Sequence, residues 1–185
     1  MLSEDDGKYL LSVAKDAIET YVKENRKIDT PSDCPDYMHD ELGVFVTLNK
    51  HNNLRGCIGY PEPVYPLIDA VIDSAISAAM RDPRFPSVDE SELDSLDYEI
   101  TVLTKPQIIE VEKPIDYLDN IIIGEDGLIV ERGFYRGLLL PQVAPEHNMD
   151  KEEFLSHTCM KAGLRPDAWL DENTKVYKFQ GQIFK

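Results

Sequence analysis

Residues 44 to 60 restrict the fold of this chain more than any other stretch. Val44 to Leu48 is a β-branched and aromatic run, Asn49 to Asn53 is rich in turn formers, and Leu54-Arg55-Gly56-Cys57-Ile58-Gly59 follows as a second extended run. That order predicts a hairpin whose second strand covers residues 54 to 60. Side chains alternate along a strand, so Arg55 and Cys57 share one face, roughly 7 Å apart, while Leu54, Ile58 and Tyr60 take the other. A guanidinium beside a thiol favours the thiolate, the form that attacks electrophiles and binds metals. Gly56 and Gly59 leave room for a ligand or a second backbone segment to approach closely.

The rest of the chain mixes helical and extended segments. Ser3 followed by Asp6 marks a helix start, and apolar residues from Leu10 to Val22 recur at helical spacing to about residue 25. Residues 27 to 42, with Pro31, Pro35 and several acids, predict a surface loop. Pro66 opens a second helix with a broad apolar face through Met80, and Arg81-Asp82-Pro83-Arg84-Phe85-Pro86 stops it. Tyr98 to Leu103, Ile121 to Ile123, Gly127 to Arg132 and Arg136 to Leu140 read as strands, the last two a hairpin around Gly133. Asp150 with Glu153 predicts a capping box, and Gly163-Leu164 a left-handed helix end. The last strand alternates Tyr177, Phe179 and Ile183 inward with Lys178, Gln180 and Gln182 outward. Short hairpins interspersed with helices define an α+β class rather than a doubly wound parallel sheet.

At 185 residues the chain can form one well-buried core with a minor lobe. A net charge of -16 argues against nucleic acid as partner, since phosphate backbones need a basic footprint. Three cysteines with no paired spacing, and four histidines forming no metal-ligand pattern with them, fit a reducing, cytoplasmic setting without a bound metal. No apolar run approaches the roughly 20 residues that span a bilayer, so no membrane association is expected. No dinucleotide fingerprint, P-loop, serine triad or zinc motif occurs, so the common cofactors are not implied.

Leu54 to Gly59 matches the six-residue signature of the AMMECR domain family. Arg81 to Pro86, Tyr98 to Leu103, Arg136 to Val143 and Phe154 to Leu164 resemble further family segments in the same order, so the likeness spans nearly all of residues 1 to 185 as one AMMECR-like domain with two subdomains. It implies a two-lobed α+β fold, larger lobe and smaller lobe, with antiparallel sheets flanked by helices and a cleft near the signature. It also implies association with Memo-like and radical-SAM proteins in a modification pathway. One departure is Ala144-Pro145 after Gln142-Val143, where a bulkier residue is expected.

Candidate roles follow from residue chemistry. Cys57 is a candidate nucleophile or redox thiol, with Arg55 beside it; its alternative is a small buried apolar side chain. Between residues 55 and 136 there are five arginines and two lysines, against two and ten elsewhere. That bias suits positions needing a planar, multi-donor fork. Arg55, Arg84 and Arg136 are therefore candidates for binding an anionic small molecule, with structural pairing to Glu99, Glu131 or Asp82 as the alternative. Glu99, mid-strand and expected to pair with an arginine, and Gln142, at a strand exit, complete the set with Gly56 and Gly59. Cys159 fits a core face, Cys34 an exposed loop of no evident role, and Trp169 a lid on the core. Catalysis at an anion-binding cleft and non-catalytic protein recognition both stand.

Overall fold

Ser3 and Asp6 close a reciprocal cap: the Ser3 amide donates to the Asp6 carboxylate at 2.7 Å and the Asp6 amide to the Ser3 hydroxyl at 3.2 Å. Helix α1 (Glu4–Glu24) follows and ends on Asn25 in a left-handed conformation, burying Leu10, Val13, Ala14, Ala17 and Ile18 along one stripe. The computed structural model describes residues 2–185. The chain forms two units: one runs to Leu103 and includes Gln182–Lys185, the other is Thr104–Gly181.

In the first unit, β1 (Val44–Lys50), β2 (Asn53–Tyr60) and β3 (Leu96–Leu103) form an antiparallel sheet in the order β2-β1-β3. Val44, Val46 and Leu48 alternate into a core shared with α1 and α2 (Leu67–Met80). Helix α2 is buried along most of its length, from Leu67 to Ala79. Residues 27 to 42 are not wholly surface loop: Asp36–His39 makes one 3-10 turn, and Met38 is fully buried in this core. Cys34 also departs from expectation, being half-buried against the same core.

The second unit holds β4 (Gln107–Ile108), β5 (Asp126–Arg132), β6 (Tyr135–Leu139) and most of β7 (Lys175–Phe184), all pairing antiparallel in the order β4-β7-β5-β6. Helices α3 (Val143–Glu146) and α4 (Lys151–Lys161) complete it. Its core gathers Leu128, Val130, Phe154, Leu155, Cys159 and Trp169; the tryptophan is core rather than lid. The expected Ile121–Ile123 strand does not form. Ile121 is buried, Ile122 exposed, and the Ile122 amide donates instead to the fully buried Asp126 carboxylate at 2.9 Å. The last strand keeps Phe179 buried but exposes Ile183, because Val176 serves the second core and Phe184 the first. Phe184 packs over Gly7, where a Cβ would overlap its ring. The α+β class and the antiparallel sheets flanked by helices are as the sequence predicts.

Candidate functional site

The hairpin that opens the site has a tighter turn and a different register than the turn-rich pentapeptide suggests. Only His51 and Asn52 are turn residues, at φ 51° and 63°. Both central residues are left-handed, as a two-residue hairpin loop demands. From there Lys50 pairs with Asn53 and Asn49 with Leu54, but Leu48 pairs with Gly56. Arg55 is thus the extra residue of a β-bulge, a device that re-aims a side chain. The bulge moves Leu54 opposite Asn49, away from the face it was expected to share with Ile58 and Tyr60, and leaves it exposed. It also sets Cys57 opposite Thr47.

Arg55 turns aside from the thiol. Its Nε donates to Glu92 Oε1 at 3.0 Å, its Nη2 to Glu92 Oε2 at 2.8 Å, and its Nη1 to the Pro86 carbonyl at 2.9 Å. Lys50 joins the same carboxylate at 2.8 Å. The Arg55 fork, then Lys50, holds the Glu92 carboxyl well below its usual range, at about 2. Here the arginine is a strut tying the bulge to the turn at Glu90–Ser95.

A different arginine serves Cys57. Its amide donates to Asp82 Oδ2 at 2.9 Å, and its carbonyl accepts from Arg84 Nη2 at 3.3 Å. Asp82 and Arg84 are themselves locked together: Arg84 Nε and Nη2 donate to the two carboxylate oxygens at 3.0 and 2.7 Å, and the Arg84 amide adds a third bond at 3.1 Å. Asp82 is buried, and Arg84 holds its carboxyl far below the usual range. The pair satisfies the outer edge of β2 as a neighbouring strand would. Arg84 lies 5.5 Å over the Phe85 ring, its side chain is 55% exposed, and its Nη1 has no partner among the described residues.

The Cys57 side chain is half-buried and its sulfur accepts a hydrogen bond from the Thr47 hydroxyl at 3.2 Å. Thr47 in turn stands opposite Glu99, so Cys57, Thr47 and Glu99 form one row across three strands. Glu99 pairs with Lys185 at 3.0 Å rather than with an arginine. The glycines receive protein backbone: a Cβ on Gly56 would overlap the Ala78 carbonyl of α2, and one on Gly59 the Val44 carbonyl of β1. Arg136 and Gln142 lie in the second unit. Arg136 pairs with Glu131, and the Gln142 carbonyl accepts the Glu146 amide at 3.1 Å at the start of α3. Thr47 and Glu92 do not figure in the sequence reading, and Asp82 figures there only as a structural partner for an arginine, which it is for Arg84. Thr47 depends on the bulge register, and Asp82 and Glu92 on loop contacts 25 and 37 residues away. The one available signal for Asp82 was its place two residues before Arg84.

Among the described residues no group of three His, Cys, Asp or Glu side chains is arranged to hold a metal ion, and no helix is long and apolar enough to cross a membrane.

These features define a class: an α+β protein whose glycine-containing edge strand presents a clamped cysteine. The AMMECR1 family profile matches residues 11–184, and the chain belongs to that family. A Methanothermobacter thermautotrophicus protein is 58% identical over 183 residues, covering 99% of this chain and 95% of its own length. Protein PF1979 of Pyrococcus furiosus is 51% identical over 189 residues, covering 100% and 90%. The crystal structure of the uncharacterized protein PH0010 from Pyrococcus horikoshii is similar at a TM-score of 0.81 and 51% identity, covering 98% of this chain and 92% of that one.

Proposed function

We propose that the outer face of the β2-β1-β3 sheet around Cys57 binds an anionic small molecule in the cytoplasm, with Arg84 meeting its charge and Cys57 as the reactive group. The observation that carries this is the clamp on Cys57: both its backbone groups are gripped by Asp82 and Arg84, while the residue is only partly buried and the exposed Arg84 side chain keeps Nη1 unpartnered among the described residues. A rigid backbone under an accessible nucleophile is what pre-organised chemistry needs. Glu99, two strands away in the same row, stands at the far end of that face, and the Memo-like and radical-SAM association implied by the resemblance would put such a reaction in a modification pathway.

The test is twofold. Iodoacetamide at neutral pH, followed by peptide mass spectrometry, should label Cys57 faster than Cys34, whose thiol burial pushes up, and far faster than Cys159, pushed up to about 11 by complete burial. Native mass spectrometry of gently purified protein should show a small anion retained by wild type and lost from Arg84→Ala. Labelling of Cys57 no faster than Cys34 ends the nucleophile role. Equal retention by Arg84→Ala ends the anion role.

A second reading is favoured by the filled space at Gly56 and the engaged fork of Arg55: the signature serves as an architectural edge for a protein-recognition module. It predicts that Arg84→Ala lowers stability and that neither variant nor wild type carries a small anion.

A further inference from the structure

A pocket of about 770 Å³ opens in the first unit between α1, the β1–β2 turn and the start of β3. It shares Glu99 with the end of the cysteine row and does not include Cys57, Arg55 or Arg84. Polar groups without protein partners concentrate in its walls. The side chains of Asn49 and Asp97, opposite each other in the β1–β3 register, make no hydrogen bond or ion pair among the described residues, and neither does that of Asn52. Tyr98 also lines the pocket, but its hydroxyl is sealed from solvent on the core side of β3 and is out of a ligand's reach.

We infer that this pocket is a second binding site, for a short peptide with a free amino terminus. Each asparagine amide offers one donor side and one acceptor side, the same pair a peptide group presents. Asp97 only accepts, and the groups that satisfy an unpaired carboxylate best are cationic N–H donors. Lys15 on α1 and Lys185 supply positive charge for a carboxylate. Lys15 is held only loosely, 3.8 Å from Glu19, and Lys185 is shared with Glu99. Two acids facing two lysines reject a multiply charged anion such as a nucleotide phosphate, which needs net positive charge. A zwitterion suits that balance. Asp97, the acid without a partner, takes the ammonium end, and the volume admits a few residues rather than a single amino acid.

The experiment is titration of the ¹⁵N-labelled chain with trialanine, followed by amide shifts. Saturable shifts confined to residues 11–15, 49–52 and 96–99 are expected, with an affinity in the range of roughly 1 mM or tighter. N-acetyl-trialanine, which lacks the ammonium, should bind about tenfold more weakly, as should Asp97→Asn with unmodified trialanine. Asn52→Gly, which keeps the positive φ and removes only the amide, should also weaken binding. Asp5→Asn makes the same charge change on an exposed part of α1 and should leave affinity unaltered. Unchanged spectral dispersion in each variant separates lost binding from lost folding. Shifts that are absent, unsaturable or scattered over the surface overturn the inference, and so does equal binding of the acetylated peptide or an unaffected Asp97→Asn.

Discussion

A methyl group at position 56 has nowhere to go, because the Ala78 carbonyl of α2 already occupies that space. Backbone cannot swing aside as a flexible side chain can, so Gly56→Ala should cost about 3 kcal/mol or more by separating helix from strand. Chemical denaturation would show it, and a loss below roughly 1 kcal/mol would mean the contact is looser than described. Glu92 makes a different residue-scale prediction. Its carboxyl sits at about 2 in the folded protein against an ordinary 4.5, so its contribution is complete above about pH 4.5 and is lost as the pH falls toward 2. Glu92→Gln should therefore cost on the order of 1–3 kcal/mol at pH 7, with the difference from wild type shrinking between those two values. Denaturation midpoints compared at pH 7, 4 and 2.5 would check this; a pH-independent difference would contradict the pairing with Arg55 and Lys50. Asp82 has the same sign and an even lower carboxyl, so both anchors of the signature strand weaken in acid.

Helix ends are local features, and here the residues alone predicted them well. Helix α4 begins with the Asp150–Glu153 capping box, at 3.0 and 2.8 Å, and ends with the Gly163 amide bonded to the Met160 carbonyl and the Leu164 amide to the Cys159 carbonyl, both 2.9 Å. Gly163 has φ +78° and no atom nearer its missing Cβ than Tyr135 at 3.8 Å. Gly163→Ala is thus a test of backbone strain without crowding and should lower stability by about 1–2 kcal/mol, measured by thermal melting. Asp150→Ala should cost about 1 kcal/mol at the other end, and a neutral result there would show that the cap contributes nothing net. Strands were less predictable. Ile121–Ile123 carries the composition of a strand, yet Asp126 takes the Ile122 amide that a ladder would have used. The bulge at Arg55 is equally invisible in composition, and it alone moved Leu54 across the sheet and set Thr47 opposite Cys57.

Across the whole molecule, the second core carries its own reporter. The single tryptophan, Trp169, is buried with Phe154 in the second core, so its emission should be blue-shifted in the native state and redden as that core opens. Phe154→Ala should cost about 3–5 kcal/mol, read from Trp169 fluorescence in denaturant, and a smaller loss would indicate that the site collapses around the cavity. The α+β class, the hairpins, the caps and the position of the signature strand all followed from residue order, because periodicity, capping and turn chemistry act over a few residues. Which arginine attends Cys57 did not. Strand alternation points to Arg55, but a one-residue bulge and a carboxylate 37 positions away take that side chain elsewhere, while the loop after α2 returns Arg84 to the cysteine backbone. Local rules determine what each segment becomes. Partners far apart in the chain are selected only when packing brings them within hydrogen-bond reach, and that selection belongs to the tertiary structure.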